Sequence, residues 1–261
     1  MSAAAPSVRT VLITGAAGGI GAAVAGVLLD QGVSVVLADL SAERTAVVAA
    51  RLDPSGQRTM AVGMDVCRES AVRSAVTAAA NRFGRLDGLV NSAGTITMNA
   101  AFDAGVAEWD RQLAINVTGT FLVSTVVGER MRVQGGGAIV NVASNCGKAG
   151  YRNMAAYNAS KSAVIGLTRS LAMEWAEYGI NVNAVCPGGV DTPMLAQVAD
   201  WLSPRLGATA ADLLDGMGPA QLGGRKIAPE EVGRVIAFLL SDDALIIRGQ
   251  AISVDAGDTP Y

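Results

Sequence analysis

VRTVLITGAAGGIGAAVAGVLLDQ, residues 8–31, divides into three parts. Val8–Thr14 is a short run of β-branched and aliphatic residues and predicts a strand. Gly15, Gly18, Gly19 and Gly21 crowd the next seven positions around Ile20 and predict a sharp turn. From there to about Gln31, Ala, Val and Leu without a proline predict a buried helix. Strand, glycine turn and helix open a βαβ unit of a parallel sheet. Val11–Leu29 carries no charge and is about as long as a membrane span. It even contains Gly15-xxx-Gly19, a spacing that suits packing between membrane helices. Five of its nineteen residues are glycine, four of them between Gly15 and Gly21, so the turn is the better reading and no membrane partner is expected.

The same alternation continues along the chain. Further strands are predicted at Val33–Asp39, Arg58–Asp65, Leu86–Gly94, Ala138–Ser144, Ile180–Gly188 and Gly249–Val254. Helices follow Ser41, a good N-cap, and run up to Phe83 (stopped by Gly84), over about Val106–Val133, and over Tyr157–Tyr178. Such regularity predicts an α/β fold: one Rossmann-type domain over residues 1–261, with a doubly wound, seven-stranded parallel sheet and helices on both faces. Val190 to about Ala228, rich in Gly, Pro and small residues, reads as an irregular insertion that covers a binding site.

Composition narrows the chemistry. Apolar residues make up 51% of the chain and aromatic ones 4%, so aliphatic side chains must build the core. The formal net charge is −3 and the basic residues are scattered, which speaks against a nucleic-acid partner. Cys67, Cys146 and Cys186 are odd in number and far apart, as suits free thiols in a reducing cytosol. MSAAAPSVRT lacks the basic start and apolar run of a leader, so a cytoplasmic location is expected. Histidine is absent altogether. That removes Ser-His-Asp and Cys-His catalysis and the commonest zinc ligands, and no metal is expected. Proton transfer must fall to Tyr, Lys, Cys or a carboxylate.

Glycines at the start of a helix let backbone approach a diphosphate, which the helix N-terminus attracts. Asp39, closing the second strand, can accept hydrogen bonds from the adenosine ribose and would repel a 2′-phosphate. Gly18 and Leu40, at the neighbouring positions, offer no cation to offset that repulsion. NAD is the expected cofactor, with Arg44 the one residue that counters the reasoning. A methyltransferase using S-adenosylmethionine would share these features, so the middle of the chain must discriminate. Tyr157 and Lys161 stand four apart on a predicted helix and share a face. A tyrosine titrates near pH ~10, and a nearby ammonium would stabilise its phenolate. Ser144 ends the fifth strand, where strand ends face the ligand crevice, and can direct its hydroxyl at the oxygen that Tyr157 serves.

Thr14-Gly-Ala-Ala-Gly-Gly-Ile-Gly21, Asn91-Ser-Ala-Gly94, Ser144 and Tyr157-xxx-Lys161, in this order over nearly the whole chain, resemble the short-chain dehydrogenase/reductase family in its compact branch. The first matches its TGxxxGxG turn and the second its NNAG segment, with Ser92 in place of Asn. The resemblance implies a catalytic tetrad of Asn116, Ser144, Tyr157 and Lys161, with Lys161 also holding the nicotinamide ribose. It further implies that Asp65 and Val66 contact adenine, that Asn91, Ala93 and Gly94 border the cofactor, and that Pro187, Gly188, Val190 and Thr192 lie on the nicotinamide side. Asn116 would hold a water connecting Lys161 to solvent. A secondary alcohol or its ketone is the implied substrate, with Ser144, Asn145, Cys146, Ala149, Gly189 and Met194 lining the pocket. A homo-oligomer, tetramer or dimer, is implied too. Ala256 departs from a tail that often reads DGG. Two alternatives stand beside this reading: a dinucleotide-sensing protein without turnover, and an epimerase or dehydratase of the larger branch, against which the short C-terminal part counts.

Overall fold

The computed structural model describes residues 9–259; Val8 and the N-terminal residues on which the leader expectation rests lie outside the described residues. The first half comprises β1 (Thr10–Thr14), α1 (Gly19–Asp30), β2 (Ser34–Asp39), α2 (Ala42–Leu52), β3 (Thr59–Gly63), α3 (Glu69–Phe83) and β4 (Gly88–Asn91). The second comprises α4 (Val106–Leu113), α5 (Thr120–Gln134), β5 (Gly137–Val142), α6 (Ala155–Glu174), β6 (Ile180–Pro187), α7 (Pro193–Leu206), α8 (Ala210–Asp215), α9 (Pro229–Leu240) and β7 (Ala251–Val254). All pairings are parallel and the order is β3-β2-β1-β4-β5-β6-β7, the doubly wound sheet expected from the sequence.

The strands are aliphatic throughout because both faces of the sheet are covered. Successive residues of one strand serve opposite cores: Val11 and Ile13 pack with Val24, Leu28 and Ile236, whereas Leu12 packs with Val72, Val76 and Val127. One face is thus closed by α1, α2 and α9 and the other by α3, α5 and α6. Full burial of each such side chain stabilises the fold by about 1.5–3 kcal/mol. Helix α9 approaches α1 closely at Gly233, where a Cβ would stand 3.3 Å from Val27 Cγ2.

Several boundaries differ from the sequence-based expectation. The helix expected over 106–133 is broken by a π-helical turn, Ala114–Gly119, with Asn116 inside it. The helix expected from Tyr157 starts at Ala155 and ends at Glu174, followed by a 3-10 turn at Ala176–Tyr178. The last strand begins at Ala251, because Gly249 turns the chain with φ +64°. Residues 190–228 are not irregular: α7, α8 and a 3-10 turn at Ala220–Leu222 fill them. Helix α9 was not expected at all.

Winding reverses between β1 and β4, and register brings Thr14 beside both Ala38 and Asn91. The carboxyl ends of β1, β2, β4, β5 and β6 therefore meet at one edge, where open α/β sheets hold ligands.

Candidate active site

Above that edge runs a cavity of about 530 Å³, within the range of small-molecule and cofactor sites. At one end lie Gly15, Gly18, Gly19, Ile20, Asp39 and Arg44; near its middle Gly94, Lys161, Pro187, Gly188, Val190 and Thr192; towards the other end Ser144, Asn145, Cys146, Tyr157, Gly189 and Met194.

The first end is a backbone cradle. Gly15 turns with φ +67°, and a Cβ there would fall 2.8 Å from Ala93 N. At Gly21 a Cβ would fall 2.4 Å from the Gly15 carbonyl oxygen, so the turn can close only around hydrogen. Gly18 caps α1 without a side chain, which leaves first-turn N–H groups free for an anion. Asp39 Oδ2 accepts from Ala17 N–H at 3.1 Å, fixing the carboxylate beside the turn. Arg44 stands on the other side, its guanidinium 3.9 Å from where a Gly18 Cβ would be. Turn, helix start and fixed carboxylate fit a dinucleotide: the N–H groups would hold its diphosphate and Asp39 its adenosine ribose.

The chemical end is built from β5 and α6. Tyr157 and Lys161, on successive turns of α6, are 7% and 6% exposed, and Lys161 Nζ lies 5.6 Å from the phenol ring centroid. Lys161 Nζ donates to the Val142 carbonyl at 2.8 Å, which anchors it to the end of β5. Ser144, just beyond β5, accepts from Cys146 N–H at 3.1 Å and donates to Asn145 Oδ1 at 3.2 Å. Burial pushes the Tyr157 phenol up, with Cys146 adding to the rise and the Ser144 hydroxyl opposing it. Burial lowers Lys161 to about 8. The net shift is upward, not the lowering expected from sequence, because desolvation of the buried phenol is the largest contribution. The phenol accordingly stays protonated at neutral pH.

Asn116 is buried and fully engaged. Its Oδ1 accepts from Thr95 N–H at 2.8 Å, and its Nδ2 donates to the Thr95 carbonyl at 2.9 Å and to Ser160 Oγ at 3.0 Å. The side chain thus ties the loop after β4 to α6 and has no direct bond to Lys161. A π turn at such a position is a common way to aim a residue inside a helix.

Six expected cofactor contacts lie outside the cavity lining. Gly21 sits behind the turn it makes possible, and Leu40 is 74% exposed. Asp65 Oδ1 accepts from Cys67 N–H at 2.9 Å, and Val66 packs under Gly119 of the π turn. Asn91 is buried in the scaffold, donating to Ser124 Oγ and Asn141 Oδ1, both at 2.9 Å. Ala93 N–H donates to Thr14 Oγ1 at 3.0 Å, and Ser92 N–H reaches the same oxygen, so the replacement of Asn at 92 leaves this tie intact. Ala149 does not line the cavity either. Lining residues not singled out from sequence include Tyr151, Val198, Leu202, Met217 and Asp258. Ala256 turns the tail at φ +57°, a left-handed conformation that glycine adopts more easily.

No helix among the described residues is long and apolar enough to cross a membrane. A family model described as enoyl-(acyl carrier protein) reductase matches residues 15–259. The chain is 38% identical over 251 residues to a D-threitol dehydrogenase of Mycolicibacterium smegmatis, covering 96% of this chain and 93% of that protein. It is 36% identical over 251 residues to an NAD-dependent glycerol dehydrogenase of Listeria innocua, covering 96% and 94%. A crystal structure of an actinorhodin polyketide ketoreductase variant with NADPH superposes with a TM-score of 0.92 at 34% identity, covering 97% and 98% of the two chains.

Proposed function

The chain belongs to the short-chain dehydrogenase/reductase family, and from that premise we propose how its cleft works as an oxidoreductase. The reaction is nicotinamide-dependent and interconverts alcohol and ketone at CH–OH groups. The cofactor of choice is NAD. Asp39 is pinned by Ala17 at the ribose position and repels a 2′-phosphate; Arg44, which lines the same cavity and pairs with no carboxylate among the described residues, is the counterweight. The relatives divide, one named as NAD-dependent and one structure containing NADPH, so the choice rests on Asp39.

When bound, the dinucleotide supplies the hydride acceptor or donor and, oxidised, a positive charge. Lys161 would hold its ribose, and Pro187, Gly188, Val190 and Thr192 would border the ring. Ser144 orients the substrate oxygen. Tyr157 gives its proton to that oxygen during ketone reduction and takes it back during alcohol oxidation. Lys161, lowered to about 8 by burial, is poised to exchange protons near physiological pH. Asn116 is a positioning residue that fixes the Thr95 loop against Ser160, one residue before Lys161. Residues 190–228 serve as the lid of the substrate pocket, with Met194 Sδ 4.0 Å from the Tyr157 hydroxyl.

The observation that carries this reading is the meeting, in one cavity, of a buried phenol and ammonium with the cradle at the start of α1. A dinucleotide sensor would need the cradle but not the buried pair. A homo-oligomer, a tetramer before a dimer, is part of this reading, with exposed Phe121 on α5, Met173 on α6 and Ile246 before β7 as candidate contacts, and light scattering after gel filtration checks it. The main test follows absorbance at the NADH band with secondary alcohols and ketones. Turnover with NAD exceeding that with NADP is expected; binding of NADH without turnover of any substrate would leave the sensor standing.

A further inference from the structure

Given the oxidoreductase chemistry proposed for this cleft, we infer that Asn145, Tyr151 and Asp258 form a second recognition point, which binds a hydroxyl of the substrate other than the reacting one. Preferred substrates are then uncharged diols or polyols, and alcohols bearing a carboxylate are rejected.

The three residues come from distant parts of the chain and line the cavity beyond Ser144. Asn145 is buried and its amide is the hub. Its Oδ1 accepts from Ser144 Oγ at 3.2 Å, and its Nδ2 donates to the Tyr151 hydroxyl at 2.8 Å and to Asp258 Oδ2 at 3.3 Å. The Tyr151 hydroxyl lies 3.5 Å from the same carboxylate oxygen. Asp258 Oδ1 accepts no bond among the described residues. The tail that carries Asp258 is fixed by a turn: Asp258 N–H donates to the Asp255 carbonyl at 3.2 Å, and Gln221 Nε2 reaches the Gly257 carbonyl at 3.2 Å from the lid side. Asp255 itself is satisfied, its carboxylate accepting from the N–H groups of Gly257 and Thr259, both at 3.0 Å.

Asp258 Oδ1 is an open acceptor, and the Tyr151 hydroxyl, which donates only the long 3.5 Å bond to Asp258 Oδ2, can turn its proton to a ligand, so the pair offers one acceptor and one donor. A hydroxyl, which both donates and accepts, matches that pair, whereas an ammonium could use only half of it. The lining also includes Met194, Val198, Leu202 and Met217, apolar side chains that suit the carbon skeleton. Other charged groups of the lining do not offset Asp258: Asp39 and Arg44 lie at the glycine turn, and Lys161 is held by Val142. Lys148 points away to Ser253 Oγ at 2.9 Å and is not in the lining. An anionic group placed beside Tyr151 therefore meets the exposed Asp258 carboxylate, which pairs with no basic side chain among the described residues.

The test compares kcat/KM, with NAD saturating, for cyclohexanol, the 1,2-, 1,3- and 1,4-cyclohexanediols and 4-hydroxycyclohexanecarboxylate, in wild type, Asp258→Asn and Tyr151→Phe. At least one diol should exceed cyclohexanol by about tenfold beyond the statistical factor of about two, and the carboxylate should fall below cyclohexanol. Asp258→Asn should reduce the diol-to-cyclohexanol ratio and raise the carboxylate-to-cyclohexanol ratio. Tyr151→Phe should reduce only the first. Ratios taken within one variant cancel any loss of folded enzyme. Equal use of diol and cyclohexanol by wild type, or ratios unmoved by Asp258→Asn, overturns the second recognition point while leaving the oxidoreductase reading intact. Absence of turnover of every compound overturns both.

Discussion

The two ends of the cleft are made of different material. At the cradle, Gly15, Gly18, Gly19 and Gly21 present backbone, and what matters is the absence of side chains. At the chemical end, Ser144, Tyr157 and Lys161 present side chains whose value lies in their positions and burial. A backbone site fails when an atom is added, and a side-chain site fails when one is removed. The comparison teaches that binding and chemistry in this protein are separable by mutation.

The largest expected effect lies at the chemical end. Tyr157→Phe removes one oxygen and should lower kcat by about a thousandfold or more, within the range for loss of a general acid, while NADH still binds with near wild-type affinity by fluorescence titration. Retained turnover would remove Tyr157 from proton transfer and erase the distinction. At the cradle the converse change is Gly21→Val, which drives carbon into the Gly15 carbonyl. NADH affinity should fall by about a hundredfold, with the far-ultraviolet circular dichroism spectrum showing whether the sheet survives. Unchanged affinity would mean that the turn tolerates a side chain.

Lys161→Met sharpens the contrast in another quantity. Lowering a lysine from 10.5 to about 8 corresponds to on the order of 3 kcal/mol against the buried ammonium. The unfolded chain binds more protons than the folded one between these values, so wild-type stability rises with pH across that window. Lys161→Met should abolish turnover yet unfold at higher urea than wild type at pH 7, by about 1–2 kcal/mol after loss of the bond to Val142. The gap should close as pH rises from about 8 towards 10.5. A less stable variant at pH 7 would show that the ammonium's bonds outweigh its burial. Asp39→Ser should give the smallest change, raising the NADP-to-NAD ratio of kcat/KM by about tenfold as one carboxylate is removed from the ribose position. If that ratio does not move, Arg44 rather than Asp39 governs the choice.

The same division explains what could be read from sequence. Glycine in a strand-to-helix turn has few uses, so the cradle and the parallel sheet around it were legible. Tyr157 and Lys161 were legible because four residues on a helix share a face whatever surrounds them. The pKa of Tyr157 was not, since its burial depends on packing from α7 and the loop after β5. Asp258 and Tyr151 meet Asn145 only through tertiary folding, and no local signal announces them. Residues 190–228 look irregular in sequence for a local reason. Thr192 and Pro193 are a helix start, with Thr192 Oγ1 accepting from Leu195 N–H, and Gly207 and Gly223 are stops at φ +67° and +66°. Short helices punctuated by such residues resemble loop in composition. Pro229-Glu-Glu, the first turn of α9, is an equally clear start, yet the partner of α1 is missing from the expected fold.

The excursion over the cleft leaves and returns to the sheet through two segments laid side by side. Val190 bridges Ile227 in parallel, Asp191 N–H and the Gly189 carbonyl both bond Ile227 at 2.9 Å, and Lys226 Nζ stands 3.5 Å from Asp191 Oδ1. With its ends stapled at this neck, the intervening stretch is an exchangeable cassette. Doubling its length would cost only about 0.6 kcal/mol in closure entropy. Selection can therefore re-tailor what the pocket admits by trading one cassette for another, while strands, cradle and proton donor remain untouched.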